Sequence, residues 1–150
     1  MLSPALICVF WRVSDRREIK EAIHNTMKKI IMDLDETISR KMPGKDYSDA
    51  LPKEDVIEKM RAFSNLGFTI CIFTARNMRT YEGNIGKINA NTLPVILQWL
   101  ARNNVPYDEV IVGKPWCGHD GFYVDDRAIR PSEFVALSPE EITKLFAQES

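Results

Sequence analysis

Asp33-Leu34-Asp35-Glu36-Thr37 places two carboxylates where the apolar run Ile30-Ile31-Met32 ends. Side chains at positions i and i+2 of a strand point to one side, so Asp33 and Asp35 can face one bound group together. Two carboxylates at close range repel unless a cation or a shared proton relieves them. The pair suits a hard metal ion and covalent phosphoryl chemistry. Asp33 would attack a phosphomonoester to give an aspartyl-phosphate. Asp35 would protonate the leaving oxygen and later take a proton from the attacking water. For Asp-x-Asp taken alone, an acidic turn closing a buried strand is the plainer alternative.

Three more strand ends carry groups that fit this chemistry. Phe68 to Phe73 reads as a second apolar strand and ends at Thr74, a hydroxyl donor. Glu109 to Val112 reads as a third, followed by Lys114, a point charge for phosphoryl oxygens and for the nucleophile. Gly121 to Asp125 reads as a fourth, ending in Asp125-Asp126. With Asp33 these two carboxylates would complete an oxygen-rich Mg²⁺ site, whose charge offsets the repulsion between an anionic nucleophile and a phosphate dianion.

The elements that must position these groups alternate in type. Lys29 to Asp33 is the first strand. Arg40 to Ala50 is polar, with a Pro43-Gly44 turn. Pro52 opens a helix whose apolar positions Val56, Met60 and Phe63 recur at helical spacing, and Gly67 closes it. Thr92 is a candidate N-cap for a helix with Pro94 in its first turn and Leu93, Ile96, Leu97 and Leu100 on one face. Ser138-Pro139-Glu140-Glu141 carries a capping-box pattern that opens a last helix. Such alternation predicts an α/β fold: a central parallel sheet with helices on both faces. Ligands of such sheets bind beyond the carboxyl ends of the strands, which is where the polar groups above fall.

These residues, in this order, resemble the four-motif signature of the haloacid dehalogenase superfamily. The resemblance runs from Met27 to about Pro131. It implies a Rossmann-like three-layer sandwich, Mg²⁺ dependence, the roles assigned above, and the Asp35 backbone carbonyl as a further metal ligand. Glu36 departs from the pattern, since many members have Gly there. A narrower similarity, in Thr74 to Tyr81, Gly83 to Ile88 and Val112 to Gly118, is to phosphatases found with bacterial capsular polysaccharide biosynthesis. It implies a small phosphorylated sugar, polyol or related precursor as substrate.

Neither the stretch from Thr37 to Thr74 nor that from Thr74 to Lys114 leaves room for a cap domain. An open site must exclude water with a loop, a neighbouring subunit of a homo-oligomer or a large substrate. The loop from Arg76 to Asn91 is the candidate, with Arg76, Asn77, Arg79 and Lys87 as substrate-binding residues and Gly83 and Gly86 allowing close backbone approach. Trp116 would either add an apolar wall over the substrate or pack against the last helix.

Composition narrows the remaining classes. The chain has 150 residues, 45% of them apolar, and a formal net charge of −1. That length fits one domain with a real core, and the charge gives no long-range pull toward nucleic acid or anionic membrane. No apolar stretch is long enough to span a bilayer. Three cysteines without zinc-site spacing read as reduced thiols in a cytoplasmic compartment. Residues 1–26 read as an N-terminal extension, with Met27 able to start a complete phosphatase domain at 27–150; a helix packed on the sheet is the alternative for this segment. Two other functional classes compete. One is a polynucleotide 3′-phosphatase. The other is non-catalytic: a phospho-acceptor, which would need an Asp where the third strand ends Val112-Gly113-Lys114, or a phosphosugar-binding protein.

Overall fold

The computed structural model describes residues 28–148, and the expectations for residues 1–26 lie outside them. Strand β1 (Lys29–Met32) pairs in parallel with β4 (Thr69–Thr74), and β4 in parallel with β5 (Glu109–Val112), in the order β1-β4-β5. Between β1 and β4 a short antiparallel pair, β2 (Ser39–Arg40) and β3 (Leu51–Pro52), brackets a 3-10 turn at Tyr47–Asp49. Helix α1 (Glu54–Asn65) then returns the chain to the sheet. Helices α2 (Ile85–Asn91) and α3 (Leu93–Arg102) connect β4 to β5, and α4 (Pro131–Ala136) and α5 (Pro139–Ala147) follow. Parallel neighbours need such crossovers. The fold is α/β with a central parallel sheet in a Rossmann-like arrangement, and no separate cap domain is inserted among the described residues.

The core forms because alternate strand residues and one stripe of each helix are apolar. Register puts Ile30, Met32, Ile70, Ile72, Val110 and Val112 on one sheet face. Val56, Ile57, Met60 and Phe63 of α1 and Ile96, Trp99 and Leu100 of α3 join them in one cluster. Trp99 is enclosed and satisfies its indole N–H on the Ala50 carbonyl at 2.8 Å. Phe63 meets Phe68 edge-on at 4.9 Å and Phe134 of α4 at 5.2 Å. On the other sheet face lie Ile31, Cys71, Phe73 and Ile111. Cys71 is buried there by its neighbours, and burial pushes its thiol pKa up.

Several boundaries differ from expectation for physical reasons. Pro52 does not open α1; it pairs with Ser39 in the small ladder, and the helix starts two residues later, with Lys53 as N-cap. Leu97 is partly exposed, while Trp99 takes the buried position on α3. Thr92 caps α3 by position only, since its hydroxyl donates instead to Asn77 Oδ1 at 3.1 Å. The capping box at Ser138 is present in full. Residues 121–125 form no strand. Phe122 and Val124 are 81% and 87% exposed, and the nearby hydrogen bonds are local ones, from Cys117 Sγ to the Gly121 carbonyl and from the Tyr123 hydroxyl to the Pro115 carbonyl. No helix among the described residues is long and apolar enough to cross a membrane.

Candidate active site

The loop after β1 winds around one carbonyl. Thr37, Ile38 and Ser39 all donate their backbone N–H to the oxygen of Leu34, and the Ser39 hydroxyl adds a fourth bond. Leu34 and Ile38 are fully buried and anchor the turn in the core. Leu34 points inward, so its neighbours Asp33 and Asp35 keep about a third of their side-chain surface open, 31% and 30%. Glu36 completes the turn at φ 60°, in the left-handed region that favours glycine. Its carboxylate accepts from Lys41 N–H at 2.9 Å and its carbonyl from Lys53 Nζ.

Both oxygens of Asp33 are engaged. Oδ1 accepts from Lys114 Nζ at 3.0 Å and Oδ2 from the Thr37 hydroxyl at 3.3 Å. The lysine is positioned by backbone: its N–H donates to the Thr74 carbonyl at 3.1 Å, one step beyond the Thr74–Val112 pair that ends the ladder. Gly113 makes the bend at φ 90°, and a Cβ there would lie 2.6 Å from Ile85 Cδ1. Thr74 is buried, and its hydroxyl oxygen accepts the Arg76 N–H at 3.1 Å. That leaves the Thr74 O–H proton free to point elsewhere. Asp33, Asp35, Thr74 and Lys114 are therefore linked through β1, β4 and β5.

The other expected residues lie at different distances from this cluster. The Arg76 side chain, expected on the substrate, is 1% exposed and clamped on Asp35, with Nη2 2.5 Å from Oδ1. Asn77, at φ 61°, is a bracket of its own loop: its amide donates to Thr80 Oγ1 and its Oδ1 accepts from Thr92. Lys87 belongs to α2, which sequence reading treats as loop; Asn84 caps that helix by accepting Lys87 N–H at 3.0 Å. Arg79, Trp116 and His119 form an exposed group, with Arg79 Nη1 3.3 Å from His119 Nε2 and the Trp116 and His119 rings edge-to-face at 5.3 Å. Tyr123 lies nearer the centre: Lys114 Nζ sits 4.4 Å from its ring centroid. Desolvation first, then the proximity of Cys117 and Asp33, pushes the Tyr123 pKa up.

Asp125 and Asp126 stand on the exposed segment that does not form the fourth strand. Asp125 Oδ1 accepts Arg127 N–H at 2.7 Å, closing a local turn. Among the described residues no three His, Cys, Asp or Glu side chains gather as a metal-holding group. Asp33 and the Asp35 carbonyl are hard oxygen donors of the kind Mg²⁺ takes, so the donor chemistry fits and the oxygen set is assembled only in part. Sequence reasoning missed the Arg76–Asp35 pair and the Tyr123 contact; neither has a local signal.

No family model matches the chain, and no curated protein matches it. Among solved structures, a crystal structure of a target protein from Vibrio cholerae is similar over 83% of this chain and 100% of its own, with 60% sequence identity and a TM-score of 0.80. The chain belongs to the family of that Vibrio cholerae protein.

Proposed function

We propose that the protein is a phosphomonoester hydrolase of the haloacid dehalogenase type, working through an aspartyl-phosphate on a small sugar or polyol phosphate. The observation that carries this reading is the pairing of Asp33 with Lys114 beside Asp35 and Thr74, at the carboxyl ends of three parallel strands. An Asp33 oxygen attacks phosphorus as the ester P–O bond breaks, and the leaving oxygen takes a proton from Asp35. Asp35, now a carboxylate, removes a proton from water. The resulting hydroxide attacks the phosphorus of the acyl phosphate and frees phosphate and Asp33. Lys114 and the Thr74 hydroxyl stabilise charge on the phosphoryl oxygens. The reading includes Mg²⁺, for which Asp33 and the Asp35 carbonyl would be ligands, with Asp125 and Asp126 completing the oxygen set; when bound, it neutralises charge between nucleophile and phosphate. Capsule precursors and a cytoplasmic location belong to the same proposal.

The test is a phosphate-release screen of the purified protein with Mg²⁺ across sugar phosphates, polyol phosphates and 3′-phosphorylated oligonucleotides. Release from a sugar or polyol ester that EDTA abolishes and Mg²⁺ restores supports the reading; no release from any substrate sinks it. One observation favours a second reading. Trp116 and Tyr123 are exposed, with Arg79 over the first ring and Lys114 over the second, and exposed aromatics beside cations suit a single-stranded end. Preference for the oligonucleotide, with a rate that falls steeply as salt rises, would select a polynucleotide 3′-phosphatase.

A further inference from the structure

We infer that Arg76 is a positioning residue for Asp35, and that proton transfer to the leaving oxygen depends on it; this rests on the phosphatase reading above. Arg76 and Asp35 are 41 positions apart, yet the guanidinium grips the carboxylate in a defined way. Nη2 lies 2.5 Å from Oδ1, and Nε lies 3.2 Å from each oxygen. Oδ1 therefore takes two contacts and Oδ2 one long one, which makes Oδ2 the less engaged oxygen and the one to carry and deliver a proton. The carboxylate is open on one side only, since the arginine side chain beneath it is 1% exposed and Asp35 is 30% exposed.

Two features hold the guanidinium itself. The Tyr47 ring centroid is 4.5 Å from its central carbon, a stacking distance for a cation on an aromatic face. The Arg76 backbone N–H donates to Thr74 Oγ1, so one residue touches two of the groups at the strand ends. Stability is a poor explanation for the arrangement. Nη1 is buried with no hydrogen-bond partner among the described residues, and a buried donor left unmade costs about 1–3 kcal/mol. Buried ion pairs are often no better for stability than apolar packing. What the bidentate fork does supply is orientation, which a lysine at this position would not reproduce.

Orientation of a general acid has a chemical readout. p-Nitrophenolate leaves without a proton, whereas the alkoxide of an alkyl phosphate needs one. kcat/KM reports steps through the first phosphoryl transfer, so it isolates the acid role from the later base role. We would measure kcat/KM for p-nitrophenyl phosphate and for the fastest alkyl phosphate of the screen above, in wild type, Arg76→Met, Arg76→Lys and Asp35→Asn. Arg76→Met should lose on the order of 100-fold on the alkyl ester and less than about fivefold on the aryl ester, the pattern of a disabled acid. Arg76→Lys should fall on the same side, and Arg76→Met combined with Asp35→Asn should add nothing to Asp35→Asn on the alkyl ester.

An equal fall on both esters with an unchanged far-UV spectrum, or no fall on either, overturns the inference and leaves the phosphatase reading standing. Turnover of the aryl ester alone by wild type overturns it too, because no acid is then at work. Wild type inactive on both esters overturns the phosphatase reading, and the inference with it. If the Arg76 variants do not fold, Tyr47→Leu decides: it removes the stacked ring and keeps the ion pair, and should show the same ester split at smaller size. A Tyr47→Leu protein without that split counts against the inference.

Discussion

Lys114 Nζ donates to Asp33 Oδ1 at 3.0 Å across 81 positions of sequence. The contact is set by the sheet, because Lys114 lies two residues past Val112, the partner of Thr74, and its own N–H still bonds the Thr74 carbonyl. The contact turns one Asp33 oxygen toward the cation, which in the proposed reaction would orient the nucleophile. Asp33→Asn should bring phosphate release down to background with an unchanged far-UV spectrum. Lys114→Met should lower kcat by about 10²- to 10³-fold, the range for losing one preorganised charge partner. Wild-type rates for Asp33→Asn would refute the nucleophile assignment.

Gly113 is the point where that contact is most vulnerable. Its φ of 90° is hostile to any side chain, and an added Cβ meets Ile85 Cδ1 at 2.6 Å. Gly113→Ala should destabilise by about 1–2 kcal/mol from backbone strain alone, and displace Lys114. Adding Ile85→Ala relieves the clash and leaves the strain, so thermal unfolding should show partial recovery only. Full recovery in the double variant would mean that sterics, not φ, decide the position.

The two thiols among the described residues should separate cleanly. Cys71 is buried and its pKa is raised by that burial, while Cys117 is exposed. Native protein treated with iodoacetamide near pH 8 should be modified at Cys117 and spared at Cys71, as read by peptide mass mapping; denaturant should open Cys71. The raised pKa also has a sign in stability. The folded state holds the Cys71 proton more tightly than the unfolded state does. This contribution is complete below the ordinary thiol value of 9.0 and is lost as pH climbs through the raised one. Equal labelling of Cys71 and Cys117 in native protein would contradict the packing of β4.

The capping box at Ser138 gives the opposite sign at acid pH. Ser138 N–H donates to Glu141 Oε2 at 2.7 Å and Glu141 N–H to Ser138 Oγ at 3.2 Å; the backbone bond first, then the hydroxyl, lowers the Glu141 pKa. Stability from this carboxylate is present above its ordinary 4.5 and disappears as pH falls through the lowered value. Ser138→Ala should cost about 1 kcal/mol near neutral pH. The gap to wild type, followed by thermal melts across the acid range, should narrow as Glu141 is protonated. A gap independent of pH would remove Glu141 from the box.

The legible part of this molecule was the part whose signals are local. Glu109–Val112 is a strand with the bounds its apolar pattern predicts, and the Ser138 box is where Ser-Pro-Glu-Glu puts it. The convergence of Asp33, Asp35, Thr74 and Lys114 follows from parallel pairing, because each lies at or just past the same end of a strand. What escaped was contextual. Ile85–Asn91 has only Ile85 and Ile88 as large apolar residues and a glycine inside it, so its helix depends on the Asn84 cap and on packing against α3. Arg76 reads as a substrate-binding cation until Asp35 and Tyr47 are placed around it. Phe122-Tyr123-Val124 has strand-forming residues, yet a strand forms only where a neighbour pairs with it. The Pro131–Ala136 helix had a usable sign in Pro131 followed by Glu133, whose carboxylate accepts the Arg130 N–H.

The last rung of the ladder, Lys114 N–H to the Thr74 carbonyl, divides the polypeptide into two kinds of territory. Just upstream of it, an insertion of one residue between Glu109 and Lys114 would shift the register that seats the lysine on its carboxylate. Downstream, from Pro115 to Val124, no sheet bond would be broken by lengthening, shortening or exchanging the segment. Under the proposed phosphatase reading, an exchange of that stretch which keeps Tyr123 over Lys114 would alter the surroundings of the lysine without touching the sheet.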